Sequence, residues 1–397
     1  MNMYSSRTNP VKGDALTSST RPNRVPAVLV LADGRVFRGY SFGAARTTFG
    51  EAVFTTAMTG YQETMTDPSY HRQIVVATAP QIGNTGWNDE DSESYDERIW
   101  VAGLVIRDLA HRVSNWRAQR TLTAEMEAQD VVGIQGVDTR ALVRHLRDHG
   151  AMGAGIFIGD QATAPVEKLV AEVAAQPSMA GADLSAEVST DVVYEVPAQG
   201  EQKYTIVAYD LGIKSATPNN FAKRGIRSIV VPANTPFEEL AQYHPDGVFF
   251  SNGPGDPATA DKMVEVARKV IEAKIPLFGI CFGNQILGRA LGLGTFKLKF
   301  GHRGINVPVI NKVTGKIDIT SQNHGFALET PAGESFETDF GPARVTHVCL
   351  NDQTVEGVAL DNGMAFSVQY HPESAAGPHD ASPLFDQFIA LMDESAK

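Results

Sequence analysis

A cysteine between two glycines, Gly279-Ile280-Cys281-Phe282-Gly283, and a downstream His371-Pro372-Glu373 are the residues of this chain best suited to covalent chemistry. A thiol is a weak nucleophile until a base takes its proton and a fixed geometry holds it. An imidazole steered by a carboxylate supplies both. Taken singly, each has a plain structural reading: an α/β crossover, a satisfied imidazole, a solvated carboxylate. A third element tips the balance. Phe249-Phe250-Ser251-Asn252-Gly253-Pro254-Gly255-Asp256-Pro257 reads as an apolar strand running into a Gly/Pro loop. The unpaired backbone N–H groups of such a loop can hold an oxyanion.

The neighbouring elements must position these groups. Residues 276–280 form a short apolar run of the kind that makes a buried strand, and residues 285–291 have apolar side chains at helical spacing. Cys281 is therefore expected at a strand-to-helix turn, flanked by glycines that tolerate a strained backbone. The first N–H groups of that helix would favour a thiolate. A second helix is expected after the Gly/Pro loop, with Met263, Val264, Ala267, Val270 and Ile271 on one face. Residues 366–370 read as a strand stopped by Pro372, which would hang His371 and Glu373 from its end.

The chain has 397 residues, comfortable for two domains, with a net charge of −12 that argues against nucleic acid or an anionic membrane as partner. No apolar run is long enough to span a bilayer and no secretion signal is evident, so a cytoplasmic location is expected. Two cysteines cannot build a disulfide framework; Cys349, in a strand-like alternation, reads as a core thiol. No Cys/His cluster has zinc-site spacing, so no metal is expected. Residues 1–26 read as a disordered tail, 27–188 as a strand-rich α/β domain, 189–203 as a polar linker and 204–397 as a second α/β domain. The first domain should open on a hairpin turning at Asp33-Gly34 and contain a helix capped by Asp138 and stopped by Gly150. In the second, strands at 204–209, 226–231 and 247–251 alternate with helices near 218–224 and 236–242. That rhythm implies a mostly parallel sheet flanked by helices.

The loop, the cysteine turn and the His-x-Glu pair together resemble the class I (triad) glutamine amidotransferases. Gly301-His302-Arg303-Gly304-Ile305-Asn306, Gln322-Asn323-His324-Gly325-Phe326 and Ser374-Ala375-Ala376-Gly377-Pro378-His379-Asp380 resemble one branch, the small (glutaminase) subunits of carbamoyl-phosphate synthetase. Met58-Thr59-Gly60-Tyr61-Gln62-Glu63, Thr66-Asp67-Pro68-Ser69-Tyr70 and Ile82-Gly83-Asn84-Thr85-Gly86 resemble that subunit's first domain, which contacts the large subunit. The likeness runs from about Ala27 to the C-terminus. It implies a Cys281–His371–Glu373 triad that releases ammonia from L-glutamine, with backbone N–H groups of Phe282 and Gly253 at the oxyanion. It implies Gly255, Ser69, Gln285, Asn323, Gly325 and Phe326 as the rest of the glutamine site. It further implies an ATP-dependent large subunit that makes carbamoyl phosphate from bicarbonate, for pyrimidine and arginine biosynthesis. ATP and Mg are expected on that partner and no cofactor on this chain, which has neither a Gly-x-x-x-x-Gly-Lys nor a Gly-x-Gly-x-x-Gly run. Phe282 and Asn284 depart from the common Gly-Ile-Cys-Leu-Gly-His-Gln, and Tyr370 replaces a frequent glycine and could narrow the pocket. His302 and His324 read as structural or interface residues. The alternatives are a glutaminase serving another synthetase and a catalytically silent regulatory scaffold.

Overall fold

Apolar residues alternate with polar ones across 26–43, and the computed structural model, which describes residues 24–333 and 335–395, folds them as a hairpin. Residues 1–23 of the expected tail lie outside the described residues. Among the described residues nine strands precede residue 160: β1 (Pro26–Leu31), β2 (Val36–Gly43), β3 (Thr48–Thr55), β4 (Gln73–Ala77), β5 (Gln81–Ile82), β6 (Gly103–Val105), β7 (Asp108–Leu109), β8 (Val132–Gln135) and β9 (Met152–Ile158). Seven of them close into a barrel in the order β1-β2-β8-β6-β4-β3-β9, with β9 pairing back onto β1. Closure leaves no sheet edge to aggregate. Leu29, Leu31, Ile74, Val76, Ile134 and Ile156 form part of a fully buried apolar cluster here. The helix Thr139–His149 starts where Asp138 accepts a hydrogen bond from the N–H of Ala141 at 3.0 Å, and it ends at Gly150, whose φ is 100°.

The C-terminal part is one eleven-stranded sheet. Its strands are β10 (Tyr194–Val196), β11 (Tyr204–Asp210), β12 (Ile226–Pro232), β13 (Gly247–Phe250), β14 (Leu277–Ile280), β15 (Thr295–Asn311), β16 (Ile317–Leu328), β17 (Ser335–Thr338), β18 (Gly341–Cys349), β19 (Val355–Leu360) and β20 (Ala365–Val368). Strands β12-β11-β13-β14-β20 run parallel, and antiparallel strands continue the sheet beyond β20. Separate apolar clusters cover its two faces. The carboxyl ends of β13 and β14 are where loops and helix starts gather, the usual ligand-binding edge of such a sheet.

There are two local differences from the sequence reading. Within the stretch expected as linker, Tyr194-Glu195-Val196 pairs antiparallel with β12, because its alternating side chains suit an edge strand. The segment expected as a helix near residue 236 is a 3₁₀ turn, Phe237–Tyr243, ended by His244 in a left-handed conformation (φ 45°).

The Asp138 cap is local and can be tested by itself. Asp138→Ala should lower the unfolding free energy of the barrel domain by about 1 kcal/mol in urea denaturation, with the denaturant slope unchanged.

Candidate active site

Cys281 follows β14 directly and caps the helix Phe282–Ala290. Its own backbone carries the strain, at φ 56° and ψ −100°, a region costing a non-glycine residue about 1–3 kcal/mol. The flanking glycines are not in that conformation. They supply space: a Cβ on Gly283 would lie 2.2 Å from the Phe250 carbonyl oxygen, and one on Gly279 would lie 2.5 Å from that of Gly283. Absence of side chains there lets the helix seat tightly against β13 and β14. The Cys281 N–H donates to Val368 O on the adjacent strand at 2.9 Å, which fixes the elbow to β20.

β20 ends at Val368, three residues before His371, so the neighbouring parallel strands deliver the thiol and the imidazole to the same sheet edge. His371 Nδ1 lies 2.7 Å from Glu373 Oε1, and both residues are buried. The Cys281 thiol donates to Asn323 O at 3.6 Å. Nε2 of His371 is buried without a hydrogen-bond partner. Burial and the nearby Lys214 would push the His371 pKa down, but Glu373 and the Cys281 sulfur outweigh them and raise it to about 10. Glu373, pulled the other way by burial, is held below the usual carboxylate range by His371.

A cavity of about 30 Å³ opens beside the thiol, and its lining includes Ser69, Gly253, Gly255, Cys281, Phe282, Gln285, Asn323, Gly325 and Phe326. Every residue expected from the sequence to contact glutamine is thus brought to one place. The Gly253 N–H makes no backbone hydrogen bond, and Phe282 N, opening a helix, has no intrahelical acceptor. Gly253 has no room for a side chain, since a Cβ would meet Leu211 O at 2.0 Å. Gln285 donates from Nε2 to Phe326 O (2.8 Å) and to Gln369 Oε1 (3.0 Å), so it braces the lining. Asn284 donates to the same Gln369 oxygen at 3.1 Å and accepts from Ser367 Oγ at 2.9 Å, a buried amide network in place of an imidazole. Tyr370 packs in the core against His347, ring centroids 5.7 Å apart, and is not among the cavity-lining side chains.

The same cavity has charged walls that the sequence reading passed over: Glu51, paired with Lys297, and the buried Arg303. Also missed was a buried ionic cluster behind the triad. Lys214 Nζ sits 3.5 Å from Asp67 Oδ2 and 3.4 Å from Glu93 Oε2. Burial would lower the Lys214 pKa, but Asp67, Glu93 and Glu373 raise it. One ammonium cannot satisfy two carboxylates equally. Asp67 is held below its ordinary value despite burial, by Lys214 and His371, whereas burial leaves Glu93 above its own. Asp67 also accepts from the Ser69 N–H and from Asn323 Nδ2, both at 2.9 Å. Asn252 Nδ2 donates to Ser69 Oγ at 3.0 Å, so Ser69 bridges the two domains. A second cavity of about 40 Å³ reaches this cluster, lined in part by Asp67, Glu93, Lys214, Asn323, Ala375 and Ala376. The signal for Lys214 in sequence was slight: a lysine soon after a strand end, indistinguishable from a surface residue.

Residues 29–156 match the family model described as carbamoyl-phosphate synthase small chain, CPSase domain, and residues 207–391 match that described as glutamine amidotransferase class-I. The chain is 70% identical over 378 residues to the carbamoyl phosphate synthase small chain of Corynebacterium diphtheriae, covering 95% of this chain and 100% of that one. It is 69% identical over 393 residues to the small chain of Corynebacterium efficiens, covering 99% and 98% respectively. With the small chain of Mycobacterium tuberculosis the identity is 64% over 369 residues, covering 92% and 98%.

Removing the Lys214 charge strands two buried carboxylates. Lys214→Met should destabilise the protein by about 3–5 kcal/mol near neutral pH. Without the cation both carboxyl groups would have folded pKa values above their unfolded ones, so the loss should shrink as pH falls and they take up protons. Thermal melts from pH 8 down to pH 5 check the sign; a deficit that grows with acidity would refute it.

Proposed function

The chain belongs to the carbamoyl phosphate synthase small-chain family and carries a class I glutamine amidotransferase domain; from that we propose that Cys281, His371 and Glu373 hydrolyse the side-chain amide of L-glutamine and that the ammonia passes to a partner large chain. The observation that carries this reading is a strained-elbow thiol that opens on one cavity with unpaired backbone donors, while the adjacent parallel strand delivers an oriented, buried imidazole to the same sheet edge.

The chemistry follows from the groups. With the thiol proton held on His371 as an imidazolium, the thiolate sulfur attacks the amide carbon of glutamine. The N–H groups of Gly253 and Phe282 stabilise the oxyanion that forms. His371 then returns its proton to the amide nitrogen, the C–N bond breaks, and ammonia leaves a thioester on Cys281. Water, deprotonated by the same imidazole, attacks that thioester and releases glutamate. Glu373 holds the imidazole with Nδ1 as donor and stabilises its charge. Arg303 and Glu51 offer opposite charges to the α-carboxylate and α-ammonium of the substrate, whose burial demands partners. Ser69, Asn323, Gly325, Phe326, Gln285 and Gly255 shape the rest. A cavity of about 30 Å³ has room for about two water molecules. Glutamine is several times larger, so entry requires Met179, which closes one side, to move.

The second cavity shares Asn323 with the first, and that junction supports it as the way out for ammonia. The partner would hold ATP and Mg and make carbamoyl phosphate from bicarbonate, for pyrimidine and arginine biosynthesis. Met58 and Trp116, 66% and 92% exposed, give the barrel domain apolar contacts for such a chain. No helix among the described residues is long and apolar enough to cross a membrane; we place the complex in the cytoplasm.

In the complex with the large chain, Cys281→Ser should abolish carbamoyl phosphate synthesis from glutamine while leaving synthesis from ammonium salts intact. Full glutamine-driven turnover by the variant would remove Cys281 as nucleophile. The raised His371 pKa sets a second expectation. The imidazolium is needed to protonate the leaving nitrogen, and it persists until pH passes its pKa. The kcat/KM for glutamine should therefore fall on the alkaline side toward pH 10 and not near an ordinary imidazole's value of about 6.5. An alkaline limb at pH 7 would contradict the His371–Glu373 pairing as the source of the shift.

A further inference from the structure

Three strands of the C-terminal sheet bring His302 (β15), His324 (β16) and Glu356 (β19) together, and His324 also lines the cavity beside Cys281. One ligand atom from each lies within 4.8 Å of the others: His302 Nδ1 is 3.4 Å and His324 Nε2 3.7 Å from Glu356 Oε1. His324 and Glu356 are buried, and His302 Nδ1 and Glu356 Oε1 have no hydrogen-bond partner. Each imidazole is already oriented through its other nitrogen. His302 Nε2 faces Asp352 Oδ2 at 2.8 Å, and His324 Nδ1 donates to Phe326 O at 2.7 Å. A carboxylate and a backbone carbonyl are the usual second partners of metal-bound histidines.

Neutral imidazoles do not satisfy this cluster. Because Nδ1 of His324 is committed as donor, its Nε2 presents a lone pair toward Gln322 Oε1 at 2.8 Å and toward Glu356 Oε1, both acceptors. Rotating the Gln322 amide would satisfy His324 but turn the amide oxygen onto Glu356 Oε2, which now accepts from Gln322 Nε2 at 3.0 Å. A cation at the centre relieves every contact at once. Bonds of 2.0–2.1 Å in a tetrahedral arrangement separate ligand atoms by about 3.3 Å, close to the two distances to Glu356. We propose that His302 Nδ1, His324 Nε2 and Glu356 Oε1 form a binding site for a divalent transition-metal ion, with Zn²⁺ as the best match to two imidazoles and a carboxylate. The ion staples three strands and holds taut the segment of β16 that carries Asn323, Gly325 and Phe326 to the substrate cavity. The sequence showed no zinc spacing because the ligands come from three separate strands.

The full-length chain, prepared without an affinity tag and stripped with chelator, is titrated with Zn²⁺ and, separately, with Co²⁺. About one Zn²⁺ per chain should survive dialysis, the melting temperature should rise on Zn²⁺ addition, and Co²⁺ should give visible d–d bands. Glu356→Gln should lose those bands. Asp352→Asn, a partly exposed position that leaves the ligands in place, should bind about 10- to 100-fold more weakly. Sub-stoichiometric zinc, or a Co²⁺ spectrum and affinity unchanged in both variants, would overturn the site. So would an intense near-ultraviolet sulfur-to-cobalt band, which would move the metal to Cys281 or Cys349.

Discussion

Lys214 is the ion about which the two domains are organised. Its ammonium comes from the segment after β11, and it meets Asp67 and Glu93, both supplied by the barrel domain. Buried charges without partners are ruinous, whereas paired ones tolerate only one relative placement of the surfaces that bear them. An apolar interface could slide by a residue and keep most of its burial. This one cannot, because Asp67 must simultaneously reach Lys214, the Ser69 N–H and the Asn323 amide. The register so fixed also sets Glu373, whose charge contributes to holding Lys214 protonated.

Much of the C-terminal domain was legible in sequence, since a parallel sheet needs a strand-helix rhythm and apolar strands report burial on both faces. The elbow was legible for a different reason: Gly279 and Gly283 mark positions where no side chain fits, and a chemically able residue stood between them. The reading misplaced the strain, though. Spacing shows that glycine is needed without showing whether for conformation or for room, and here Cys281 takes the unfavourable φ while the glycines give clearance. The barrel was not legible. Short strands with ordinary turns say nothing about strand order, and β3, β4, β6 and β8 are parallel neighbours joined by long connections.

The site divides along the same line. Gly253, Cys281, Phe282, Asn323, Gly325, Phe326, His371 and Glu373 lie within or beside short motifs, so local sequence announced them. Arg303, Glu51, Lys214, Asp67 and Glu93 act through burial, which a single sequence does not display. A charged residue at a strand end is almost always solvated, and only the closing of the barrel domain over Lys214 makes it otherwise. Tyr370 shows the converse: a residue beside His371 whose side chain alternates into the core and leaves the pocket alone.

Asn323 ties these parts into one device. Its carbonyl accepts from the Cys281 thiol, its side chain donates to Asp67, and it lines both the substrate cavity and the cavity that reaches Lys214. A residue shared in this way cannot shift toward one side without changing the other. The barrel therefore does more than cover the catalytic domain. Through Asp67 it fixes a backbone carbonyl at Cys281, and through Ser69 it completes the wall of the cavity beside that thiol. Catalytic power in such a site comes from groups aligned before the reaction begins. Here that alignment is a property of the two-domain unit, because the catalytic domain alone would leave Lys214 and Asn323 without the partner that positions them.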